Sequence, residues 1–204
     1  MSMKKQTIVT LDMEGVLTPE IWIALAEQTG IDDFRRTTRD EPDYDVLMRY
    51  RLDLLTKHGI SLSRIQKVIG GLGVQPGALE FLNELRQLTQ VVVLSDTFEQ
   101  FAAPFIRQLA HPTLLCHRLI VENDVVTDYQ LRVPDQKRKA VAAFKSLNYH
   151  VIAAGDSYND TTMLIEADEG FLIHAPEIVK QDFPQFEAAE SLEELLVFIK
   201  KELT

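Results

Sequence analysis

Three short apolar runs stop at a polar or acidic residue: Thr7 to Asp12, Val91 to Ser95 and Val151 to Asp156. Runs of this length and composition predict buried strands. Thr113 to Cys116 and Gly170 to Ile173 have the same form more weakly. Helical spacing fills the intervals. Pro76 to Leu88 carries Leu79, Leu82, Leu85 and Leu88, and Phe98 to Ala110, Lys137 to Leu147 and Asn159 to Ala167 follow. A final helix opens on a capping box, Ser191 to Glu194. Glu122 to Asp124 reads as a hairpin loop between Leu119–Val121 and Val125–Tyr129. Alternating strands and helices predict an α/β fold, a three-layer Rossmann-like parallel sheet with helices on both faces. In such sheets, polar groups at the carboxyl ends of strands line the ligand crevice, and Asp12, Ser95 and Asp156 stand there.

One stretch breaks the alternation. From Leu17 to Gly73 the pattern is helical with no strand. Thr18-Pro19 opens one helix and Gly30 closes it, a second runs from Asp43 to His58, and a third from Ser61 to Ile69. The expected organisation is a core of residues 1–16 and 74–204, with 17–73 inserted as a small helical cap. Gly70, Gly71 and Gly73 suit a return linker.

The 204 residues, 46% of them apolar, are enough to bury a real core. A formal net charge of −10 argues against nucleic acid and anionic membrane as partners. The single cysteine, Cys116, excludes an internal disulfide and a cysteine-rich zinc site, and its apolar surroundings predict a buried, inert thiol. No apolar run approaches the ~20 residues of a membrane span. Met1 to Gln6 is not followed by a signal-peptide pattern. Together these point to the cytoplasm.

Candidate chemistry clusters at the strand ends. Asp12 and Glu14, two apart in an extended segment, project to one side and repel unless a cation lies between them; Mg²⁺ prefers such oxygen ligands. An acidic turn after a strand explains the pair equally well. Asp156 and Asp160 lie in Gly155-Asp156-Ser157-Tyr158-Asn159-Asp160. A helix N-cap accounts for one acid, but Asp156 directly after a buried run is costly without a cation. Ser95 and the N–H groups after it can hold a phosphate oxygen, or Ser95 can simply end a strand. Lys137, at a helix N-terminus, favours an anion, although within Lys137-Arg138-Lys139 a solvated surface is the plainer reading.

Asp12-Met13-Glu14-Gly15-Val16, Ser95, Lys137 and Gly155 to Asp160 stand in the order of the four motifs of the haloacid dehalogenase-like hydrolases, and the chain resembles that family. It departs from the usual pattern in Glu14 for a second Asp. It also departs from most phosphoserine phosphatases in Val16 for Thr and in Asp96-Thr97 after the motif-two Ser. Those departures resemble the bifunctional phosphoserine phosphatase/homoserine phosphotransferases. So do Pro19 to Ala24, Pro42 to Met48, Ser95 to Phe98, Leu114 to His117 and Gly155 to Leu164.

The resemblance implies Mg²⁺ held by Asp12, the Glu14 main-chain carbonyl and Asp156, with Asn159 and Asp160 in support. It implies Asp12 as phosphoryl acceptor and Glu14 as proton donor and acceptor. Ser95, Asp96, Thr97 and Lys137 would bind the phosphoryl substrate, and Glu20 and Arg51 the ammonium and carboxylate of phosphoserine. Helix geometry supports Arg51: it falls inside the apolar stripe Tyr44, Leu47, Met48, Leu54 and Leu55, where a guanidinium wants an anion, unless its head snorkels into water. Arg49 aligns with Asp45 and Asp53 as a surface row. The five histidines, 58, 111, 117, 150 and 174, show no metal-ligand spacing and receive no role.

Phosphoserine and homoserine are the implied small-molecule partners. Two other readings compete: a phosphatase for another small phosphomonoester, and a non-enzymatic receiver-like phospho-switch. In a receiver the Lys comes last, whereas Lys137 precedes Asp156. The oligomeric state stays open, with a homodimer as the assembly considered.

Overall fold

The structure, a computed structural model, describes residues 5–203 apart from 38, 39 and 42. Pro42 of the sequence reading therefore lies outside the described residues. Among the described residues, seven strands form one sheet: β1 (Gln6–Leu11), β2 (Gln90–Phe98), β3 (Thr113–Glu122), β4 (Val125–Gln130), β5 (Tyr149–Gly155), β6 (Glu169–Ile173) and β7 (Glu187–Ala189). Their spatial order is β4-β3-β2-β1-β5-β6-β7. All pairings are parallel except β3 with β4. That pair is the anticipated hairpin, turned by Asn123 and Asp124 at positive φ.

Strand alternation sorts the core into two layers. Val9, Leu11, Val93, Ile152 and Phe171 bury one face, which also takes α4 (Ala78–Leu88), α5 (Glu99–Gln108) and α9 (Leu192–Leu203). Ile8, Val92, Leu94, Val151, Ala153 and Leu172 bury the other, with α6 (Gln136–Ser146), α7 (Thr161–Glu166) and α8 (Glu177–Asp182). The three-layer α/β expectation is met. Helices α1 (Ile21–Thr29), α2 (Tyr44–Lys57) and α3 (Leu62–Gly70) lie between β1 and α4, and their buried apolar residues join the first layer's core.

Several boundaries differ from the sequence reading for identifiable reasons. Ser95 does not end β2; the strand runs on to Phe98 through a register shift between Leu94 and Phe98. Helix α1 starts at Ile21 rather than at Thr18-Pro19, because the Ile21 N–H is capped from outside by the Glu14 carboxylate at 2.9 Å. In the last helix, Ser191 Oγ accepts from the Glu194 N–H as expected, but the Glu194 carboxylate accepts from Glu190 N–H and not from Ser191. Strand β7 and helix α8, three and six residues long, escaped the pattern altogether.

The hairpin tip holds α3. Asp124 accepts Leu62 N–H through its carbonyl and Ser63 N–H through Oδ1, both at 2.8 Å. Arg49, expected to pair with Asp45 and Asp53, pairs with Asp45 at 3.5 Å and reaches β4 through Asp128 at 2.7 Å.

Candidate active site

Asp12 follows β1, and its N–H donates to Ala154 O at 3.0 Å, so the carboxylate stands at the rim of the sheet beside the end of β5. Asp156 follows β5. Gly15 and Gly155 let the acids crowd together. A Cβ on Gly15, which also has φ +79°, would lie 2.4 Å from Asp156 Oδ2. A Cβ on Gly155 would lie 2.3 Å from Asp160 Cγ. No side chain other than hydrogen fits at either place.

Asp160 is fully buried. Its Oδ2 accepts the N–H groups of Asp156 at 3.0 Å and Ser157 at 3.1 Å, and its Oδ1 accepts from Lys137 Nζ at 2.7 Å. The residue therefore spends its charge on shaping the Asp156 turn and anchoring the lysine. Lys137, at the start of α6, is only 3% exposed, which removes the solvated-surface reading for it. Its Nζ lies 2.9 Å from Asp12 Oδ1 and 3.5 Å from Asp96 Oδ2.

Asp12, Asp156 and Asp160 each present a carboxylate oxygen within 4.8 Å of the others. Burial, then Asp160, push the Asp12 carboxyl well above its usual range despite Lys137. Burial, Asp160 and Glu20 push Asp156 up to about 7. Asp12 Oδ1 is buried, with Lys137 Nζ as its charged neighbour. Acids this crowded fit a divalent cation with hard oxygen ligands. Asp160 is already committed to Lys137 and two N–H groups, so of the three acids Asp12 and Asp156 have more capacity left for a cation.

A cavity of about 170 Å³ opens above these groups. Asp12, Glu14, Ser95, Asp96, Thr97, Lys137, Asp156 and Asn159 line it together with Glu20, Trp22, Tyr44, Leu47 and Arg51. Every candidate catalytic, substrate-binding or metal-ligating residue thus borders one cavity except Asp160, which is joined to it through Lys137, Asp156 and Ser157.

Burial raises the Glu14 carboxyl, against the opposing pull of the Ile21 N–H, Thr97 and Arg51. Glu20, at the open edge, is pushed up to about 7 by partial desolvation and by Glu14, with Arg51 opposing. Arg51 does not snorkel. It is 8% exposed, its guanidinium sits 4.6 Å over the Trp22 ring, and one nitrogen donates to Arg36 O at 2.9 Å. Its Nε has no partner, and burial lowers its pKa to about 10. A buried guanidinium with a spare donor facing a cavity is suited to an anion.

Ser95 is buried, its Oγ accepting the Thr97 N–H at 3.3 Å. Asp96 is drawn on by many donors. Burial would raise its pKa, but Lys137, His117 and Gln136 outweigh that and hold it well below the usual range. Asn159 Nδ2 donates to its Oδ2 at 3.3 Å. Four neighbours were invisible to the pattern. Buried Gln136 donates through Nε2 to Ser95 O and Asp96 Oδ1. The Tyr44 hydroxyl donates to Asp96 O at 3.0 Å. His117 faces Asp96, and His174 Nδ1 lies 3.2 Å from Gly15 O. Positive φ at His174 and the turn at Asp135 before Gln136 are the only local signals, and neither is readable from residue type. Cys116 is buried as expected, and burial pushes its thiol up to about 12.

The model of the haloacid dehalogenase-like hydrolase family matches residues 9–164. A phosphoserine phosphatase of Pseudomonas syringae pv. tomato is 61% identical over 92% of this chain and 80% of its own length. Phosphoserine phosphatase ThrH of Pseudomonas aeruginosa is 60% identical over 92% of both chains. Among solved structures, a phosphoserine phosphatase of T. onnurineus superposes with a TM-score of 0.74 at 26% identity, covering 98% of each chain.

Proposed function

The chain belongs to the haloacid dehalogenase-like hydrolases, and from that premise we propose that it is a Mg²⁺-dependent phosphoserine phosphatase that also transfers the phosphoryl group to homoserine. The observation that carries the reading is the mixed lining of one cavity. Asp12, Asp156 and Lys137 suit a phosphate with a cation; Glu20 and Arg51, lining the same cavity, suit an ammonium and a carboxylate. The names of the two Pseudomonas relatives agree with this substrate.

Mg²⁺, held by Asp12, Asp156 and the Glu14 carbonyl, would offset the charge between Asp12 and a phosphate dianion. Lys137 and the Ser95 turn hold the phosphoryl oxygens. An Asp12 carboxylate oxygen attacks phosphorus, the bond from phosphorus to the serine oxygen breaks, and Glu14 gives that oxygen its proton. Burial favours the protonated Glu14 that this first step needs. In the second step Glu14 takes the proton of a water or of the homoserine hydroxyl. That oxygen attacks phosphorus, and Asp12 leaves as a carboxylate. The products are inorganic phosphate or phosphohomoserine, so atoms and protons balance in both branches.

Residues 17–73 act as a cap over this cavity, with 1–16 and 74–204 as the core. Gln75 N–H donates to Leu17 O at 2.9 Å, so the chain leaves and returns at one point. Cap residues Tyr44, Leu47 and Arg51 cover the site, and closure would exclude water and favour transfer. The enzyme would work in the cytoplasm; a homodimer is its proposed assembly.

Incubation with phosphoserine, Mg²⁺ and graded homoserine, counting free phosphate against phosphohomoserine, tests the reading. Release from phosphoserine no faster than from an unrelated phosphomonoester would defeat it. Phosphate release without phosphohomoserine at any homoserine concentration would remove the transfer branch alone.

A further inference from the structure

The mechanism above gives no part to a buried histidine beside the Ser95–Asp96 turn. His117 lies in β3 and is 4% exposed. Its Nδ1 accepts the Arg132 N–H at 3.1 Å, so that nitrogen carries no proton and the ring N–H is on Nε2. Nε2 faces Asp96 Oδ1 at 3.5 Å. Asp96 follows Ser95 directly and is the third carboxylate around Lys137, after Asp12 and Asp160. An ionised Asp96 free to swing onto Lys137 would compete with a phosphate for the same ammonium. Three donors prevent this: His117 and Gln136 on Oδ1, and Asn159 on Oδ2.

We propose that His117 is a positioning residue: its Nε2–H holds the Asp96 carboxylate back at 3.5 Å from Lys137 Nζ, longer than the 2.9 and 2.7 Å of Asp12 and Asp160, so that Lys137 keeps a donor for the phosphoryl group. The inference rests on the reading that Lys137 and Ser95 hold that group. The Tyr44 ring packs edge-on against His117 at 6.3 Å and its hydroxyl grips the Asp96 carbonyl, so the same arrangement is braced from α2. Backbone and side chain of Asp96 are thereby fixed from two elements, β3 and α2, neither of which belongs to the four motifs.

The test uses Mg²⁺-loaded enzyme with an aryl phosphate substrate, inorganic phosphate as competitive inhibitor, and three variants. His117→Gln keeps an N–H where Nε2 stands. His117→Asn keeps the acceptor for Arg132 but no donor to Asp96. His117→Phe keeps neither. The expected result for His117→Phe and His117→Asn is a rise in KM and in the phosphate inhibition constant of about tenfold, the loss of one charge-assisted contact, with kcat moving less than about threefold. His117→Gln should return both constants to within about threefold of wild type. In an Asp96→Asn background, His117→Phe should add less than about twofold, because the competing charge is gone.

Failure of His117→Gln to rescue, unchanged phosphate binding in His117→Phe, or full additivity with Asp96→Asn would each overturn the proposal. Lys137→Met separates this from the underlying reading. If it too leaves phosphate inhibition unchanged, the phosphate site is misassigned. If it weakens inhibition while His117→Phe does not, only the role of His117 is lost.

Discussion

Gly155→Ala should be more damaging than any single methyl group elsewhere in the sheet. The added Cβ would sit 2.3 Å from Asp160 Cγ and 2.5 Å from both its Cβ and Oδ2. Ordinary contact begins near 3.4 Å, so about 1 Å of movement is required where Asp160 is fully buried and packed. Overpacking of this kind costs about 1–3 kcal/mol. Moving Asp160 also strains its bonds to Lys137 and to the N–H groups of Asp156 and Ser157, a further loss of roughly 2 kcal/mol. A total of about 3–5 kcal/mol lowers Tm by roughly 6–20 °C in a protein of this size. Thermal unfolding followed by circular dichroism reads the first effect, and turnover reads the displaced Asp156. The clash should vanish when its partner is removed: in an Asp160→Gly background, Gly155→Ala should cost less than about 0.5 kcal/mol. A Gly155→Ala protein with wild-type Tm, or the same cost in both backgrounds, would refute the packing argument.

Asp12→Asn should abolish turnover, a loss of roughly 10⁴-fold or more. It should also raise Tm in magnesium-free buffer, because a carboxyl whose pKa is raised in the fold opposes folding once ionised; an unchanged or lowered Tm would contradict that. For Asp156, raised to about 7, the folded state holds its proton longer than the unfolded chain. Its penalty is therefore absent below about 4, grows from there to about 7 and is complete above. The Tm gained from saturating Mg²⁺ should accordingly be larger at pH 7.5 than at pH 5, and a pH-independent gain would count against Asp156 as a ligand. Arg51→Ala should lower kcat/KM for phosphoserine by roughly 10–150-fold, and for an aryl phosphate only slightly. Equal losses with both would remove Arg51 from substrate recognition.

The parts of this architecture legible in the sequence are those where burial is complete and local. β1 and β5 are apolar runs hidden on both faces, so their ends and the acids that follow were visible. Asp156 stood out because an acid there has no cheap neutral explanation. Arg51 was separable from Arg49 because helix periodicity alone puts one in the stripe and the other on the rim. Lys137 was not separable from Arg138 and Lys139 in this way. Its depth comes from three carboxylates contributed by the turn after β1, by β2 and by the turn after β5, which no local window contains. His117 and Gln136 were missed for the same reason: each acts on Asp96, 21 and 40 positions away in sequence. The short β7 and α8 owe their form to packing against β6 and its neighbours, and three to six residues carry too little period to announce it.

Rapid acid quenching during turnover of phosphoserine, followed by mass spectrometry of the digested enzyme, tests the central claim most directly. The account predicts a phosphoryl group on the peptide carrying Asp12, formed only with Mg²⁺ present and absent from Asp12→Asn. A phosphoryl group on any other residue, or steady turnover by Asp12→Asn, would contradict it.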